Sequence, residues 1–199
     1  MIKLIQGDLL KQDDVDAIVN TVNCVGVMGK GIALQFKNKW PANFTAYATA
    51  CKAGQVRPGR MFVFDSGGLV KPNFIINFPT KRHWRGKSRM EDIEAGLGDL
   101  VAVIRERGIR SIAVPPLGSG LGGLPWTEVR ARIVSALAEV EGVQVAVYEP
   151  VGAPAAAHVA RHGLRRVRLP GAAALRVEPV REAAREPQES RERGLRDRL

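Results

Sequence analysis

The sequence predicts a three-layer α/β/α domain around a six-stranded, mostly parallel mixed sheet. Through the first 150 residues, short apolar runs alternate with helical patterns, and glycine-rich loops follow several of the runs. Such alternation is typical of parallel sheets. One run, "SIAVPPL" at 111–117, is apolar almost throughout, as expected where helices cover both faces of a sheet. With 199 residues and 45% hydrophobic content, the chain can bury one sizeable core.

Six segments have the length and apolar content of strands, and turn residues such as Gly7-Asp8 and Gly67-Gly68 separate them from their neighbours. The predicted strands, in chain order, are residues 2–7, 16–20, 60–66, 73–79, 111–117 and 143–150.

Four segments have helical patterns. Pro41 opens the second and Pro125 lies in the first turn of the fourth, where proline is tolerated. The third is amphipathic, begins near Ser88 and stops at Gly108. The predicted helices are residues 32–40, 42–53, 88–108 and 125–140.

The chain divides into a predicted domain at 1–150 and an Arg/Ala-rich tail at 151–199. The tail holds 11 Arg, no Lys, no Phe, Trp or Tyr, and no Ile or Met, so we expect it to be disordered or partly helical. The net charge of the whole chain is +10, and the two parts contribute equally. This excess of positive charge favours an anionic partner, with nucleic acid as the first candidate and a membrane surface as the second.

Other classes of protein are disfavoured. Cys24 and Cys51 are too few and too far apart for a metal knuckle or a disulfide framework, which indicates reduced thiols in a cytosolic protein. The first residues lack the apolar core of a signal peptide, and no run approaches membrane-spanning length. We therefore expect a cytoplasmic protein that uses no metal or cofactor and does not bind membranes. We also expect it to act as a monomer.

Two glycine-rich loops each lead from a strand into a helix. In "PPLGSGLGGLPW", Gly118, Gly120 and Gly123 match G-x-G-x-x-G, whose backbone N–H groups can bind a diphosphate. This loop follows the fifth strand, whereas the dinucleotide-binding motif follows the first, so a dinucleotide fold is disfavoured. A tight turn without a ligand is the alternative.

The other loop, "NTVNCVGVMGKGIALQF", is not a nucleotide-triphosphate loop, because Lys30 is followed by Gly31 instead of Ser or Thr. Its Asn20 and Asn23 could hydrogen-bond sugar hydroxyls or serve as turn residues. Parallel sheets bind ligands at the carboxyl ends of their strands. We therefore expect one site formed by the segments that follow predicted strands: Asp8, residues 20–31, Thr80-Lys81 and residues 117–123.

A basic and aromatic segment, "KRHWRGKSR", begins at Lys81, directly after the fourth predicted strand. Basic side chains neutralise phosphates, and Trp84 or His83 can stack on unpaired bases. The alternative is a solvated turn with Trp84 packed on the next helix. The predicted nucleic-acid contacts are Arg82, His83, Trp84, Arg85 and Lys87.

Taken together, these segments resemble the macrodomain family of ADP-ribose-binding modules. "GDLL", "AIVNTVN", "MGKGIALQF", "PPLGSGLGGLPW" and "VAVY" occur in the family's order within residues 1–149. The resemblance implies the macrodomain fold, with Asp8 at the adenine amino group and both glycine loops around the ribose and diphosphate. The ADP-ribose contacts it implies are Asp8, Leu9, Asn20, Thr21, Asn23, Gly31, Ile32, Ala33, Leu34, Thr80, Leu117, Gly118, Ser119, Gly120, Leu121 and Gly122.

Within the family, "MGKGIALQFK" and "NFPTK" are similar to the branch of terminal ADP-ribose protein glycohydrolase and the DNA ADP-ribosyl glycohydrolase antitoxins. That resemblance implies a catalytic role for Lys81. "NFPTKRHW" is closer to the DNA-acting enzymes, which remove ADP-ribose from thymidine in single-stranded DNA and oppose a DNA ADP-ribosyltransferase toxin. One departure is Gly122, where the protein-acting enzyme has an aspartate.

The sequence allows two chemical roles for Lys81. A lysine amine is mostly protonated at neutral pH, and partial burial with nearby cations would lower its pKa; the cations available are Arg82, Arg85, Lys87 and Arg89. Lys81 either attacks the anomeric carbon of the distal ribose or stabilises the departing base. A hydrolase of glutamate-linked ADP-ribose on proteins and a non-catalytic reader of ADP-ribose are the alternative functions.

Three partners follow from the resemblance: ADP-ribose, ADP-ribosylated single-stranded DNA and the cognate toxin. The antitoxins of this branch carry a further C-terminal domain that restrains the toxin directly. The 49-residue tail is shorter and more polar than such a domain, so we do not expect it to bind the toxin in that way.

Overall fold

The computed structural model describes residues 1–68 and 70–153, so the tail expected for 151–199 lies almost entirely outside the described residues. All six predicted strands and all four predicted helices are present. The strands are β1 (Ile2–Ile5), β2 (Ala17–Asn23), β3 (Phe62–Asp65), β4 (Phe74–Lys81), β5 (Ser111–Val114) and β6 (Gln144–Tyr148). The helices are α1 (Gly31–Lys39), α2 (Pro41–Lys52), α3 (Met90–Glu106) and α4 (Trp126–Leu137), with a 3-10 helix at Leu9–Lys11.

The sheet has the strand order β1-β6-β5-β2-β4-β3. Every neighbouring pair is parallel except β3 and β4, which are antiparallel. The prediction of a six-stranded, mostly parallel mixed sheet is therefore confirmed. Because β5, β2 and β4 are parallel neighbours at the centre, their carboxyl ends meet at one edge, and the loops that follow them share a single region.

Helices cover both faces of the sheet. Neighbouring residues of β4 point to opposite faces, as the period of a strand requires. Ile76 belongs to a buried cluster that includes Leu97 of α3 and Ile133 of α4, whereas Ile75 belongs to a cluster that includes Phe36 of α1. These clusters form the two apolar interfaces of a three-layer α/β/α domain.

Helix α3 lies very close to β4 at Gly96. A Cβ built on Gly96 would come within 3.0 Å of the ring of Phe78, which is fully buried, whereas a Cβ on Gly98 would meet nothing within 4 Å. At 17 residues α3 is the longest helix in the described part of the chain. Among the residues that the structure describes, no helix is both long enough and apolar enough to cross a bilayer.

Most strand ends differ from the prediction by one to three residues, and three of these differences lie beside the site. β2 continues three residues past Asn20 and β4 two residues past Pro79, because the two strands pair with each other as far as Asn23 and Lys81. Lys81 is thus the last residue of β4. β5 ends at Val114 instead of residue 117, because two successive prolines follow and have no N–H for the ladder.

Candidate functional site

A cleft of about 800 Å³ opens at the carboxyl edge of the sheet. One wall is the end of β2 with the loop into α1, the other is the glycine loop after β5, and Lys81 with the basic segment lies at the mouth. The volume falls in the usual range for small-molecule sites. The lining residues are Thr21, Val22, Asn23, Val27, Gly29, Lys30, Gly31, Ile32, Ala33, Thr80, Lys81, Trp84, Arg85, Gly86, Lys87, Pro115, Pro116, Gly118, Gly120, Leu121 and Gly122.

The structure brings most of the predicted site residues together in this cleft. Its lining includes the predicted ADP-ribose contacts Thr21, Asn23, Gly31, Ile32, Ala33, Thr80, Gly118, Gly120, Leu121 and Gly122. Catalytic candidate Lys81 and three of the predicted nucleic-acid contacts also line it. The predicted residues outside the lining are Asp8, Leu9, Asn20, Leu34, Leu117, Ser119, Arg82 and His83.

Some of these outlying residues support the fold. Asn20 is fully buried and donates from Nδ2 to Oδ1 of Asn77 at 3.0 Å, so its amide lies within the sheet layer and does not line the cleft. Leu117 is also fully buried. Asp8 is exposed, and its Oδ1 accepts from the Leu10 N–H and caps the 3-10 helix.

Asn23 organises the loop that forms one wall of the cleft. Its Nδ2 donates to the Val27 carbonyl at 2.6 Å, and its Oδ1 accepts from the N–H groups of Val25 and Val27. The buried Tyr47 hydroxyl of α2 donates to the Asn23 carbonyl at 2.6 Å. Burial raises the pKa of Tyr47, so the phenol stays protonated and keeps its donor hydrogen. Tyr47 and Asn23 together fix the path of this loop.

The first turn of α1 lies in the same wall. Lys30, Gly31, Ile32 and Ala33 line the cleft, and the N-cap residue, Lys30, makes no side-chain hydrogen bond to the helix. The N–H groups of a first helical turn have no partner within the helix, and the helix dipole favours negative charge there. A diphosphate placed in the cleft would meet these amides.

The glycine loop opposite is packed too tightly to admit a side chain at Gly122. A Cβ there would lie closer than 3.0 Å to the Gly118 carbonyl oxygen and to the Ser88 Oγ. The Ser88 N–H also donates to the Gly122 carbonyl at 3.1 Å, which ties the loop to the segment before α3. An aspartate at position 122 would fit only if this loop moved, and the loop as it stands offers Lys81 no carboxylate partner.

Lys81 points across the mouth of the cleft. Its Nζ donates to the Leu121 carbonyl at 2.6 Å. Partial burial lowers the pKa of Lys81, and the charge of Lys87 lowers it further. The predicted direction is confirmed, but only Lys87 of the four expected cations contributes. Arg82, one of the others, forms a two-pronged ion pair with Asp92 of α3.

The basic segment carries an exposed stack of planar groups beside the cleft. The rings of His83 and Trp84 are stacked with centroids 5.5 Å apart, and the guanidinium of Arg85 lies 4.4 Å from the centre of the Trp84 ring. Trp84 is 45% exposed. Both partners of Trp84 in this stack come from its own loop and not from the following helix.

Several residues that shape the site had not been predicted. Pro115 and Pro116 line the cleft, and their position directly before a glycine loop could have indicated this. Tyr47 and Ser88 act from outside it, and nothing in the sequence marks them. Among residues 1–68 and 70–153, no three His, Cys, Asp or Glu side chains lie close enough together to hold a metal ion.

Comparison with known proteins finds a family and close relatives. The family model described as Macro domain matches residues 19–133. A DNA ADP-ribosyl glycohydrolase of Thermus aquaticus is 59% identical over 156 residues, which make up 78% of this chain and 43% of the relative. The chain therefore spans less than half the length of that curated relative.

Two solved structures are also similar. The macrodomain of Mycobacterium tuberculosis DarG superposes with a TM-score of 0.74 at 58% identity, covering 75% of this chain and 98% of that chain. Thermosipho africanus DarTG in complex with ADP-ribose superposes with a TM-score of 0.70 at 34% identity, covering 75% of this chain and 42% of that chain.

Proposed function

The chain belongs to the macrodomain family, and we propose that it is a glycohydrolase that releases ADP-ribose from thymidine in single-stranded DNA. The observation that carries this proposal is the position of Lys81, between a cleft large enough for a nucleotide and an exposed stack of planar, basic side chains. The 59% identity to a DNA ADP-ribosyl glycohydrolase supports the same activity.

In this proposal the cleft holds ADP-ribose along its length. The diphosphate lies between the first turn of α1 and the glycine loop at 118–122, both of which present backbone N–H groups. The distal ribose lies beside Asn23 and Lys81, and the adenine extends toward Asp8. The solved complex of the Thermosipho africanus relative with ADP-ribose supports this choice of ligand.

The reaction breaks the bond between the anomeric carbon of the distal ribose and the nitrogen of the thymine. Lys81 can act in two ways. As a neutral amine it attacks the anomeric carbon, the base leaves with the bonding electrons and takes a proton, and water then hydrolyses the lysine adduct. As a cation it stabilises the departing base while water attacks directly. A lowered pKa makes the neutral amine more available, which supports the first route.

The rest of the substrate lies outside the cleft. Arg85 and Lys87 are exposed at the mouth and can pair with phosphates, while Trp84 offers a half-exposed ring on which an unpaired base can stack. Single-stranded DNA satisfies both kinds of side chain. A carboxylate-linked ADP-ribose on a protein would use neither the ring nor the cations.

We propose further that the protein acts as an antitoxin to a DNA ADP-ribosyltransferase. A DNA ADP-ribosyl transferase–DNA ADP-ribosyl glycohydrolase fusion protein of Thermosipho africanus, 32% identical over 165 residues, supports this pairing of activities. The substrate would be DNA in the cytoplasm. We propose that the protein acts as a monomer.

The test compares two substrates for the purified protein. One is a single-stranded oligonucleotide ADP-ribosylated on thymine, and the other is a protein ADP-ribosylated on glutamate. We expect release of ADP-ribose from the DNA only. Release from the protein only would replace the proposal with protein de-ADP-ribosylation, and binding of ADP-ribose without any release would make the protein a reader.

A further inference from the structure

The positive charge of the folded domain is concentrated in one stretch of the chain. Residues 17–90 hold 12 basic side chains and a single acid, Asp65, whereas residues 91–153 hold five basic and nine acidic side chains. The basic stretch includes β2, α1, α2, β3, β4 and the segment after Lys81. The three strands of this stretch form the β2-β4-β3 side of the sheet.

Part of this charge is already engaged within the domain. Lys71 pairs with Asp16, Arg82 pairs with Asp92, and Lys39 donates to the Leu10 carbonyl. In contrast, the described residues form no ion pair with Lys52 at the end of α2 or with Arg57 in the following loop, and both are exposed. We call Lys52 and Arg57 the α2 patch.

The α2 patch lies beside the wall of the cleft. Gly26, in the loop from β2 to α1, packs directly on α2: a Cβ built on it would lie 3.4 Å from the Cys51 Cβ and 3.5 Å from the Ala48 Cα. Lys52 follows Cys51 and lies one helical turn after Ala48, on the same stripe of the helix. Lys52 therefore lies on the part of α2 that packs against this loop.

Arg57 is anchored to the same region. Its neighbour Val56 is buried in a cluster that contains Met28 of the cleft wall and Tyr47 of α2. On the other side of the loop, the Cys24 N–H donates to the Arg82 carbonyl at 3.3 Å, so the loop also touches the basic segment. The loop at 24–26 thus connects the basic segment to the α2 patch.

We propose that the α2 patch binds phosphates of the DNA strand on one side of the modified nucleotide. This inference rests on the proposed function, because ADP-ribose in the cleft places the modified base at the mouth. From there the strand passes over Arg85 and Lys87 in one direction and over the loop at 24–26 to the α2 patch in the other. Val25, 46% exposed between these cationic regions, gives an apolar surface for a base.

Single-stranded DNA fits this surface better than an acidic peptide does. The surface alternates cations with exposed apolar or aromatic groups, here Val25, Val27 and Trp84. In single-stranded DNA, the phosphates pair with cations and the unpaired bases pack on apolar or aromatic groups. An acidic peptide would use only the cations. A DNA strand that contacts both sides of the mouth would be bound on both sides of the modified nucleotide, and not only at one end of the strand.

The test uses the full chain and a charge-reversal variant, Lys52→Glu/Arg57→Glu. A matched control, Lys3→Glu/Arg110→Glu, changes the charge equally, in edge strand β1 and before β5 at the amino end of the sheet. Three substrates carry ADP-ribosylated thymine: the free nucleoside, an oligonucleotide with the modified base at its 5′ end, and one with it at its 3′ end. The milder Lys52→Gln/Arg57→Gln variant replaces the first if that one does not fold.

We expect the Lys52→Glu/Arg57→Glu variant to lose about tenfold in kcat/KM on one end-modified oligonucleotide. On that substrate, the negative slope of log kcat/KM against log salt concentration should become less steep by about two. Activity on the other oligonucleotide and on the nucleoside should stay within about twofold of wild type, because those substrates do not reach the α2 patch. The control should match wild type on all three.

Other results would overturn the inference. If kcat/KM fell equally on both oligonucleotides, or fell by the same amount in the control variant, the α2 patch would act only through a general attraction between positive charge and a polyanion. Wild-type behaviour of the variant on both oligonucleotides would show that the strand does not reach the α2 patch. Failure of the proposed function has a different signature, since wild-type protein would then release nothing from any of the three substrates, and the inference would fall with it.

Discussion

Replacing Gly122 with alanine tests whether the packing of the glycine loop controls Lys81. The added methyl group would overlap the Gly118 carbonyl oxygen and the Oγ of Ser88. One obstacle is backbone and the other is a buried side chain, so the loop itself has to move, by roughly 1 Å. Overpacking of this kind costs about 1–3 kcal/mol of unfolding free energy.

The same movement should impair turnover. Leu121, the neighbour of Gly122, accepts the hydrogen bond from Lys81 Nζ, and a displacement of about 1 Å at a reacting group can cost around 100-fold in rate. We expect Gly122→Ala to lower the unfolding free energy by about 1–3 kcal/mol and kcat/KM by about 10- to 100-fold. Urea denaturation and the initial rate of ADP-ribose release measure the two quantities.

Gly120→Ala is the matched control within the same loop. A Cβ at Gly120 meets nothing within 4 Å, and the residue does not adopt a left-handed conformation. Its unfolding free energy should stay at the wild-type value or rise by up to about 1 kcal/mol, since alanine restricts the unfolded chain. Wild-type stability and wild-type turnover in Gly122→Ala would refute the reasoning, because the loop would then have room for a side chain.

Three further predictions follow from the packing and charge of the domain. Gly98→Ala should raise the unfolding free energy by about 0.5–1 kcal/mol, whereas Gly96→Ala, two residues away in α3, should lower it by about 1–3 kcal/mol because its methyl group meets an aromatic ring; equal effects in urea denaturation would contradict this. Tyr47→Phe should cost about 1–3 kcal/mol and weaken ADP-ribose binding in calorimetry, because a buried loop carbonyl loses its donor; unchanged affinity would show that the loop holds its path alone. The pH profile of nucleoside hydrolysis should have a Lys81-dependent midpoint below 10.5, and Lys87→Gln should move it to higher pH by removing a repelling charge. If the rate rises as the pH passes through this midpoint, the neutral amine of Lys81 is the active form. A midpoint that Lys87→Gln leaves unchanged would contradict the repulsion between the two lysines.

Much of the fold and of the cleft follows from local sequence patterns. Apolar runs separated by turn residues give the six strands, and glycine loops after two of them mark the two walls, because strand ends in a parallel sheet meet at one edge. Lys81 was placed at the mouth for the same reason. These features depend on residue type and order alone, which is why the sequence is sufficient for them.

The features that could not be predicted depend on contacts between distant residues. The sequence makes Asn20 and Asn23 equivalent, but Asn20 is buried against Asn77 in the regularly paired part of β2, whereas Asn23 follows a register irregularity at the end of that strand and lines the cleft. Likewise, Arg82 was expected to act on Lys81 or on DNA, and its pairing with Asp92 becomes visible only when α3 is packed. Irregular pairing and ion pairs of this kind are tertiary effects.

The most direct test of the central claim measures turnover and affinity in one variant. Lys81→Ala and an exposed control, Lys3→Ala, are compared with wild type for release of ADP-ribose from the modified oligonucleotide and for the Kd of free ADP-ribose. We predict that Lys81→Ala loses at least about 100-fold in kcat while its Kd stays within about threefold of wild type. Retained turnover in Lys81→Ala would contradict the account, and so would a loss of turnover that merely follows a loss of affinity.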